Sequence, residues 1–306
     1  MAINWFPGHM HKARKEIAEL MPQIDLIIEV LDARIPFSSE NPLVPKLRGD
    51  TPCIKILNKS DLADPELTLK WQAYLEQENG VKTIALTQKN KAQVRSLLDL
   101  CKTTVPKTPL RTLILGIPNV GKSTLINTLA GRTIAKTGNE PAVTKAQQRI
   151  RLPEHIVLHD TPGFLWPKLS PAACGFRLAT TGAIKDTVVE YEEVALFAAD
   201  YLRKAYPEQL CQRYNLDELP HDDIAVLDAI AAKRGCMRRG GVADLHKVSE
   251  ILLHELRAGS LGPLTLETPE MVEKEQAEEL IRAEQEAIEK EKKEELRQAK
   301  KRKRRK

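Results

Sequence analysis

Aromatic residues make up only 4% of this 306-residue chain, too few for a single-strand nucleic-acid platform built on base stacking. No apolar run approaches the roughly 20 residues that cross a bilayer. The opening stretch, MAINWFPGHMHKARKE, carries no apolar segment of the secretory kind, so a cytoplasmic location is expected. The five cysteines (Cys53, Cys101, Cys174, Cys211, Cys236) are odd in number and scattered, without a CxxC pair. That excludes a disulfide framework and a zinc site and fits reduced thiols. A hydrophobic share of 42% excludes wholesale disorder, and the length suits about two domains.

The net charge of +5 is unevenly spread. Residues 267–295 hold twelve acidic against five basic side chains, whereas 297–306 hold eight basic and no acidic ones. This tail reads as a charged helical or disordered segment, rich in i,i+4 charge pairs, whose apolar positions (Leu280, Ile281, Ile288, Leu296) are too few to bury a face. At the other end His11, Lys12, Arg14 and Lys15 precede the first acidic residue, Glu16.

Between these ends, short apolar runs at 26–31, 53–57, 83–86, 112–115 and 156–159 alternate with helical patterns at 66–78, 92–101 and 121–130. That rhythm predicts an α/β fold, a mostly parallel sheet with helices on both faces. Strand patterns stop near residue 190. Helical stretches at 192–205, 222–233 and 243–257 then predict a small all-α domain ending near a turn at 259–263. The expected domains are 1–180, 181–266 and a tail at 267–306.

The most specific motif is GIPNVGKS at 116–123, which matches GxxxxGK[ST]. A chance match is expected in on the order of one chain in a hundred of this length. An apolar strand leads in and a helix leads out, as a phosphate-binding loop requires. Its glycines let backbone N–H groups converge on phosphates at a positive helix N-terminus. Lys122 would span the β- and γ-phosphates and Ser123 would hold Mg²⁺. DTPG at 160–163 follows a strand: Asp160 can hold the water shell of Mg²⁺ and Gly163 can offer its N–H to the γ-phosphate. Thr144, in a polar loop between them, could reach the same ion.

NKSD at 58–61 supplies base choice. A buried carboxylate at Asp61 would accept from N1 and N2 of guanine, and adenine would leave it unpaired. Sites built to pair a polar group reject the analogue lacking it by roughly 10⁴-fold or more. Asn58 would brace the loop and the Lys59 stem would pack over the ring, while the loop at Thr87 and Gln88 would meet the guanine oxygen. The nucleotide-binding set is thus Asn58, Lys59, Asp61, Thr87, Asn119, Val120, Gly121, Lys122, Ser123, Thr124, Thr144 and Gly163. Ser123, Thr144 and Asp160 are the expected Mg²⁺ residues.

The order is inverted. NKSD precedes the phosphate loop by about sixty residues, which makes the domain circularly permuted; the proline-containing stretch at 102–109 is the join. Permutation is tolerated where the original termini lie close together.

The permuted order, WFPGHM at 5–10, DARIP at 32–36, DTPGFLWPK at 160–168, GAIKD at 182–186 and KRGCMRRGG at 233–241 resemble the YlqF/RbgA family over residues 3 to about 266. The resemblance implies a circularly permuted P-loop GTPase acting in late assembly of the bacterial large ribosomal subunit and stimulated by that particle. It also implies a helical domain contacting ribosomal RNA. Ala142 departs from the family's usual glycine, and the tail after 267 lies outside the shared part.

The residue after Gly163 is Phe164, followed by Leu165 and Trp166, none of which can orient an attacking water. His9 is the candidate instead, because the turn at Pro7 and Gly8 can project it and the resemblance places a catalytic histidine in this motif. Its ordinary pKa near 6.5 leaves a neutral imidazole at cellular pH. Asn119 resembles the asparagine that holds a potassium ion beside the phosphates in some GTPases. Lys233, Arg234, Arg238 and Arg239 occupy a glycine-containing loop that could contact RNA phosphates, with a solvated loop as the plain alternative. His155, His159, His221, His246 and His254 show no metal spacing. The expected partner is the large subunit and its rRNA, bound by a monomer, with no membrane. Two other classes stay open: a slow-hydrolysing GTP-binding scaffold, and a switch acting on tRNA or a membrane surface.

Overall fold

The structure, a computed structural model, describes residues 9–134, 148–163, 165–166 and 168–303, the side chains of 9–14 and 295–303 excepted. Described residues up to Glu267 form one compact unit and those from Thr268 onward a second.

The chain begins with α1 (His9–Leu20), then β1 (Leu26–Asp32), the short helices α2 (Pro36–Ser39) and α3 (Val44–Arg48), β2 (Cys53–Asn58), α4 (Pro65–Leu75), β3 (Val81–Leu86) and α5 (Lys91–Thr104). The phosphate-loop strand β4 (Leu110–Gly116) and helix α6 (Lys122–Ala130) follow, then β5 (Gln148–Arg151) and β6 (Ile156–Asp160). Among the described residues the strands make one six-stranded sheet of order β3-β2-β1-β4-β6-β5. Every neighbouring pair is parallel except β5 with β6. β4 is fourth in sequence yet lies in the interior between β1 and β6, which is how a permuted chain rebuilds a P-loop sheet.

Every residue of β1 and β2 is buried, in keeping with strands covered on both faces. β5, Gln-Arg-Ile-Arg, buries only Ile150 at the sheet edge, too faint a pattern for a strand to be expected there. α4 and α5 start where Asp64 and Asn90 accept from the first-turn N–H groups of their helices.

The helical part contains α7 (Ala172–Thr180), α8 (Tyr191–Ala205), α9 (Pro207–Tyr214), α10 (Asp223–Arg234) and α11 (Leu245–Ala258). α8 is its centre and packs on α7, α10 and α11, burying Val194, Ala195, Ala198, Ala199 and Leu202. After α11 the chain returns to the sheet. The Leu264 N–H donates to the Leu62 carbonyl at 3.0 Å and the Leu266 N–H to the Arg34 carbonyl at 2.8 Å. Glu267, which composition assigned to the acidic tail, is fully buried. Its carboxylate accepts from the Ser38 N–H at 2.9 Å and the Ser38 hydroxyl at 2.5 Å, with Arg177 alongside at 3.4 Å.

The second unit is α12 (Pro269–Lys303), whose Leu280, Ile281 and Ile288 are exposed and which carries i,i+4 pairs such as Arg282–Glu286. No helix among the described residues is long and apolar enough to cross a membrane.

Candidate functional site

The parallel strands β1, β2, β3, β4 and β6 all end on one edge of the sheet, at Asp32, Asn58, Leu86, Gly116 and Asp160. Successive strands are laid down to one side from β1 to β3 and to the other from β4 to β6, so the strand order reverses between the parallel neighbours β1 and β4, and ligands of open α/β sheets bind at such a switch point. Beyond Gly116 the chain turns through two left-handed residues, Asn119 (φ 58°) and Gly121 (φ 94°), and opens α6. Gly121 brings no capping side chain, so the first N–H groups of α6 face outward at the positive helix end.

Three side chains from the base-selecting side grip three consecutive carbonyls of this loop. Lys59 Nζ donates to the Asn119 carbonyl at 2.9 Å. Asn58 Nδ2 donates to the Val120 carbonyl at 2.6 Å, and Gln88 Nε2 to the Gly121 carbonyl at 2.8 Å. Base loop and phosphate loop, distant in sequence, are thus held in register. The fully buried Asn58 keeps its Oδ1 without a hydrogen-bond partner among the described residues.

On the phosphate side, buried Lys122 forms an ion pair with buried Asp160. Burial pushes the Lys122 ammonium down and the Asp160 carboxyl up, each shift partly offset by the other group. Asp160 Oδ2 is buried without a hydrogen-bond partner among the described residues. Thr161 anchors the following turn through its hydroxyl, which donates to the Ile114 carbonyl at 3.0 Å. Gly163 then runs directly under the P-loop: a Cβ there would lie 3.2 Å from Pro118 Cα. A magnesium-bound triphosphate fits this arrangement, because Lys122 would find phosphate oxygens and the unpartnered Asp160 oxygen a hard cation, with Ser123 beside it.

At the base loop the structure corrects one expectation. Asp61 is not buried but sits at the rim, because Lys59 (φ 59°) turns the chain outward into a short 3₁₀ turn at Ser60–Leu62. Its carboxylate pairs with Lys89 at 2.7 Å. Partial burial, which would raise its pKa, is outweighed by hydrogen bonds from Lys89 and Thr87, which lower it. The Thr87 N–H points at Gln93 Oε1, 3.4 Å away, and it is Gln88 that reaches the P-loop. The Asn119 side chain donates to the Gly182 carbonyl at 2.9 Å, which ties the P-loop to the turn after α7.

His9 is the first residue of α1, with its side chain outside the described residues; Thr144, Ala142 and Phe164 also lie outside them. Leu165 and Trp166 are buried. Among the described residues no cluster of His, Cys, Asp and Glu could by itself hold a metal, and the five cysteines are free.

In the basic loop, Arg239 and Gly240 form the tip of a tight turn closed by Gly241 N–H to the Arg238 carbonyl at 3.2 Å, with Arg238 at its base. The four cations expected in one loop differ, because Lys233 and Arg234 belong to the last turn of α10 and only Arg238 and Arg239 lie in the loop beyond it. Arg234 pairs with Glu255 at 2.9 Å and covers the Tyr214 ring, Lys233 approaches Asp217 at 3.7 Å, and Arg238 pairs with Asp244 at 2.9 Å. Arg239 is exposed and has no ion pair among the described residues.

Sequence reasoning left the part played by two residues unread. Gln88 is expected only at the guanine oxygen, and nothing in the sequence connects its side chain to the Gly121 carbonyl. Asp32 was visible only as part of DARIP.

Residues 111–223 match the family model described as 50S ribosome-binding GTPase. The chain is 46% identical over 282 residues to ribosome biogenesis GTPase A of Bacillus cereus, covering 88% of this chain and 95% of that protein. It is 44% identical to the Priestia megaterium protein of the same name, over 90% and 99% of the two chains. The crystal structure of GNP-bound YlqF from T. maritima superposes with a TM-score of 0.61 at 26% identity, covering 85% of this chain and 99% of that one.

Proposed function

The chain belongs to the ribosome biogenesis GTPase A (YlqF/RbgA) family and is a circularly permuted GTP hydrolase, and from that premise we propose that it works as a switch in late assembly of the bacterial large ribosomal subunit. The observation that carries the GTPase reading is the triple grip of Lys59, Asn58 and Gln88 on the carbonyls of residues 119–121. Asp61 at the rim would accept the guanine N1 and N2 hydrogens, the Lys59 stem would lie under the ring, and the Thr87–Gln88 loop would face the guanine oxygen. The N–H groups opening α6 and Lys122 would hold the phosphates.

Ser123 and Asp160, together with Thr144, would hold the magnesium ion, which supplies positive charge against the β- and γ-phosphate oxygens. Gly163, lying against Pro118, would register the γ-phosphate and pass its presence to the segment leading into α7. Asn119 would contribute to a potassium site, so turnover should be faster in potassium than in sodium at fixed ionic strength.

His9 would act as the water-orienting residue. With Leu165 and Trp166 buried in the core, the segment after Gly163 offers no polar side chain in that role at those two positions. The exposed turn at Arg238 and Arg239 would meet rRNA phosphates. The protein would act in the cytoplasm as a monomer.

Co-sedimentation tests the partner. The protein should pellet with isolated large subunits when loaded with a non-hydrolysable GTP analogue, and should be released with GDP. Equal pelleting with tRNA or with anionic vesicles would favour a different switch.

A further inference from the structure

DARIP at 32–36 is a motif for which nucleotide chemistry alone gives no role. Asp32 ends β1 beside the P-loop strand, 2% exposed. Its Oδ1 accepts from the Arg34 N–H at 3.1 Å and from Arg34 Nε at 2.9 Å. Its Oδ2 accepts from Arg34 Nη2 at 2.8 Å and from Lys59 Nζ at 2.8 Å. One carboxylate therefore serves two cations, and the fork of Arg34 fixes its plane. The turn that carries it is itself held: the Asp32 N–H donates to Ser39 Oγ at 3.0 Å, and the Arg34 carbonyl receives the Leu266 N–H at 2.8 Å.

Lysine is a flexible point charge on four methylenes, and one hydrogen bond does not fix its stem. Lys59 has two anchors, Asp32 Oδ2 and the Asn119 carbonyl. Together they stretch the side chain from the base loop to the P-loop. We propose that Asp32 is a positioning residue for guanine-nucleotide binding: locked by Arg34, it holds the Lys59 ammonium against the Asn119 carbonyl and so fixes the stem on which the base rests. Without it, Lys59 and Arg34 would be neighbouring cations left with only the weaker field of Asp61 as shared counter-charge. The proposal rests on the reading of residues 58–61 as the base-selecting loop.

The test is a double-mutant cycle on the full chain, read as affinity for a fluorescent GDP and a fluorescent GTP analogue, with GTP turnover measured alongside. Asp32→Asn and Lys59→Met should each weaken both nucleotides about tenfold. The double variant should be no weaker than Lys59→Met, because both changes remove one device. KM should rise with kcat unchanged. Losses that multiply in the double variant, or an Asp32→Asn protein of parental affinity, would overturn the proposal. Parental affinity in Lys59→Met would instead overturn the base-loop reading. Asp32→Asn leaves Arg34 buried without its ion-pair partner, so Asp32→Asn/Arg34→Met, which removes both charges, guards against misfolding. It should keep the thermal midpoint near the parent's and show the same tenfold loss; parental affinity in that variant would also overturn the proposal.

Discussion

Gln88 and Gly121 are joined by a 2.8 Å hydrogen bond from the glutamine amide to the glycine carbonyl, and the same amide nitrogen lies 2.5 Å from where a Cβ on Gly121 would stand. The Asn58 amide nitrogen lies 2.5 Å from that position as well. Gly121 is thus required twice, by its φ of 94° and by the two amides that close around it.

Gly121→Ala should therefore cost more than the about 1–3 kcal/mol of a left-handed non-glycine residue, because two loops must also move. The expected outcome is a lower thermal midpoint together with at least a tenfold loss of GTP and GDP affinity, checked by calorimetry and nucleotide titration.

Asn58→Ala would leave the Val120 carbonyl without its 2.6 Å donor. A buried group left unpaired costs about 1–3 kcal/mol, so affinity should fall roughly ten- to hundredfold. GTP and GDP should suffer alike, since the bond braces the loop and not the γ-phosphate. Isothermal titration of both nucleotides checks this.

The parts of the site that are sequence motifs were legible because each motif is contiguous. GxxxxGK[ST], DTPG and NKSD each name a turn at a strand end, and the apolar runs of β1, β2 and β4 named the strands themselves. What was not legible depends on contacts across the fold. Glu267 sits at the head of an acidic run and looks solvated, yet Ser38 and Arg177 enclose it. Asp61 was expected inside a pocket, and the left-handed Lys59 places it at the rim. β5 has one buried residue in four, and no periodicity survives at that length. The division of labour among Lys233, Arg234, Arg238 and Arg239 follows from acids at positions 217, 244 and 255 that composition does not connect to them.

Glu29, buried in β1, accepts the Asn41 N–H at 2.9 Å, while its register neighbour Lys55 is committed to Glu40 and Glu78 at 2.7 Å each. Burial, reinforced by Glu40, pushes its pKa up to about 8 from 4.5. The folded protein then holds a proton that the unfolded chain releases, so this group's contribution to stability is present below about 4.5 and is lost as pH rises towards about 8. Glu29→Gln should remove that slope. Urea unfolding near pH 5 and near pH 8 should show the variant gaining on the parent at the higher pH.

Arg239 is the one member of the basic turn whose charge no neighbour balances among the described residues, whereas Arg238 is shared with Asp244. Arg239→Ala should weaken large-subunit binding and lower the salt slope by roughly one unit or slightly less. Arg238→Ala should have the smaller effect. Binding titrations at several salt concentrations check both, with GTP affinity unchanged in each.

The most direct test of the switch is GTP turnover by the purified protein with and without isolated large ribosomal subunits. Turnover should be slow alone and strongly stimulated by large subunits, with the stimulation lost in His9→Ala while GTP affinity is kept. Equal rates with and without large subunits would contradict a ribosome-activated GTPase.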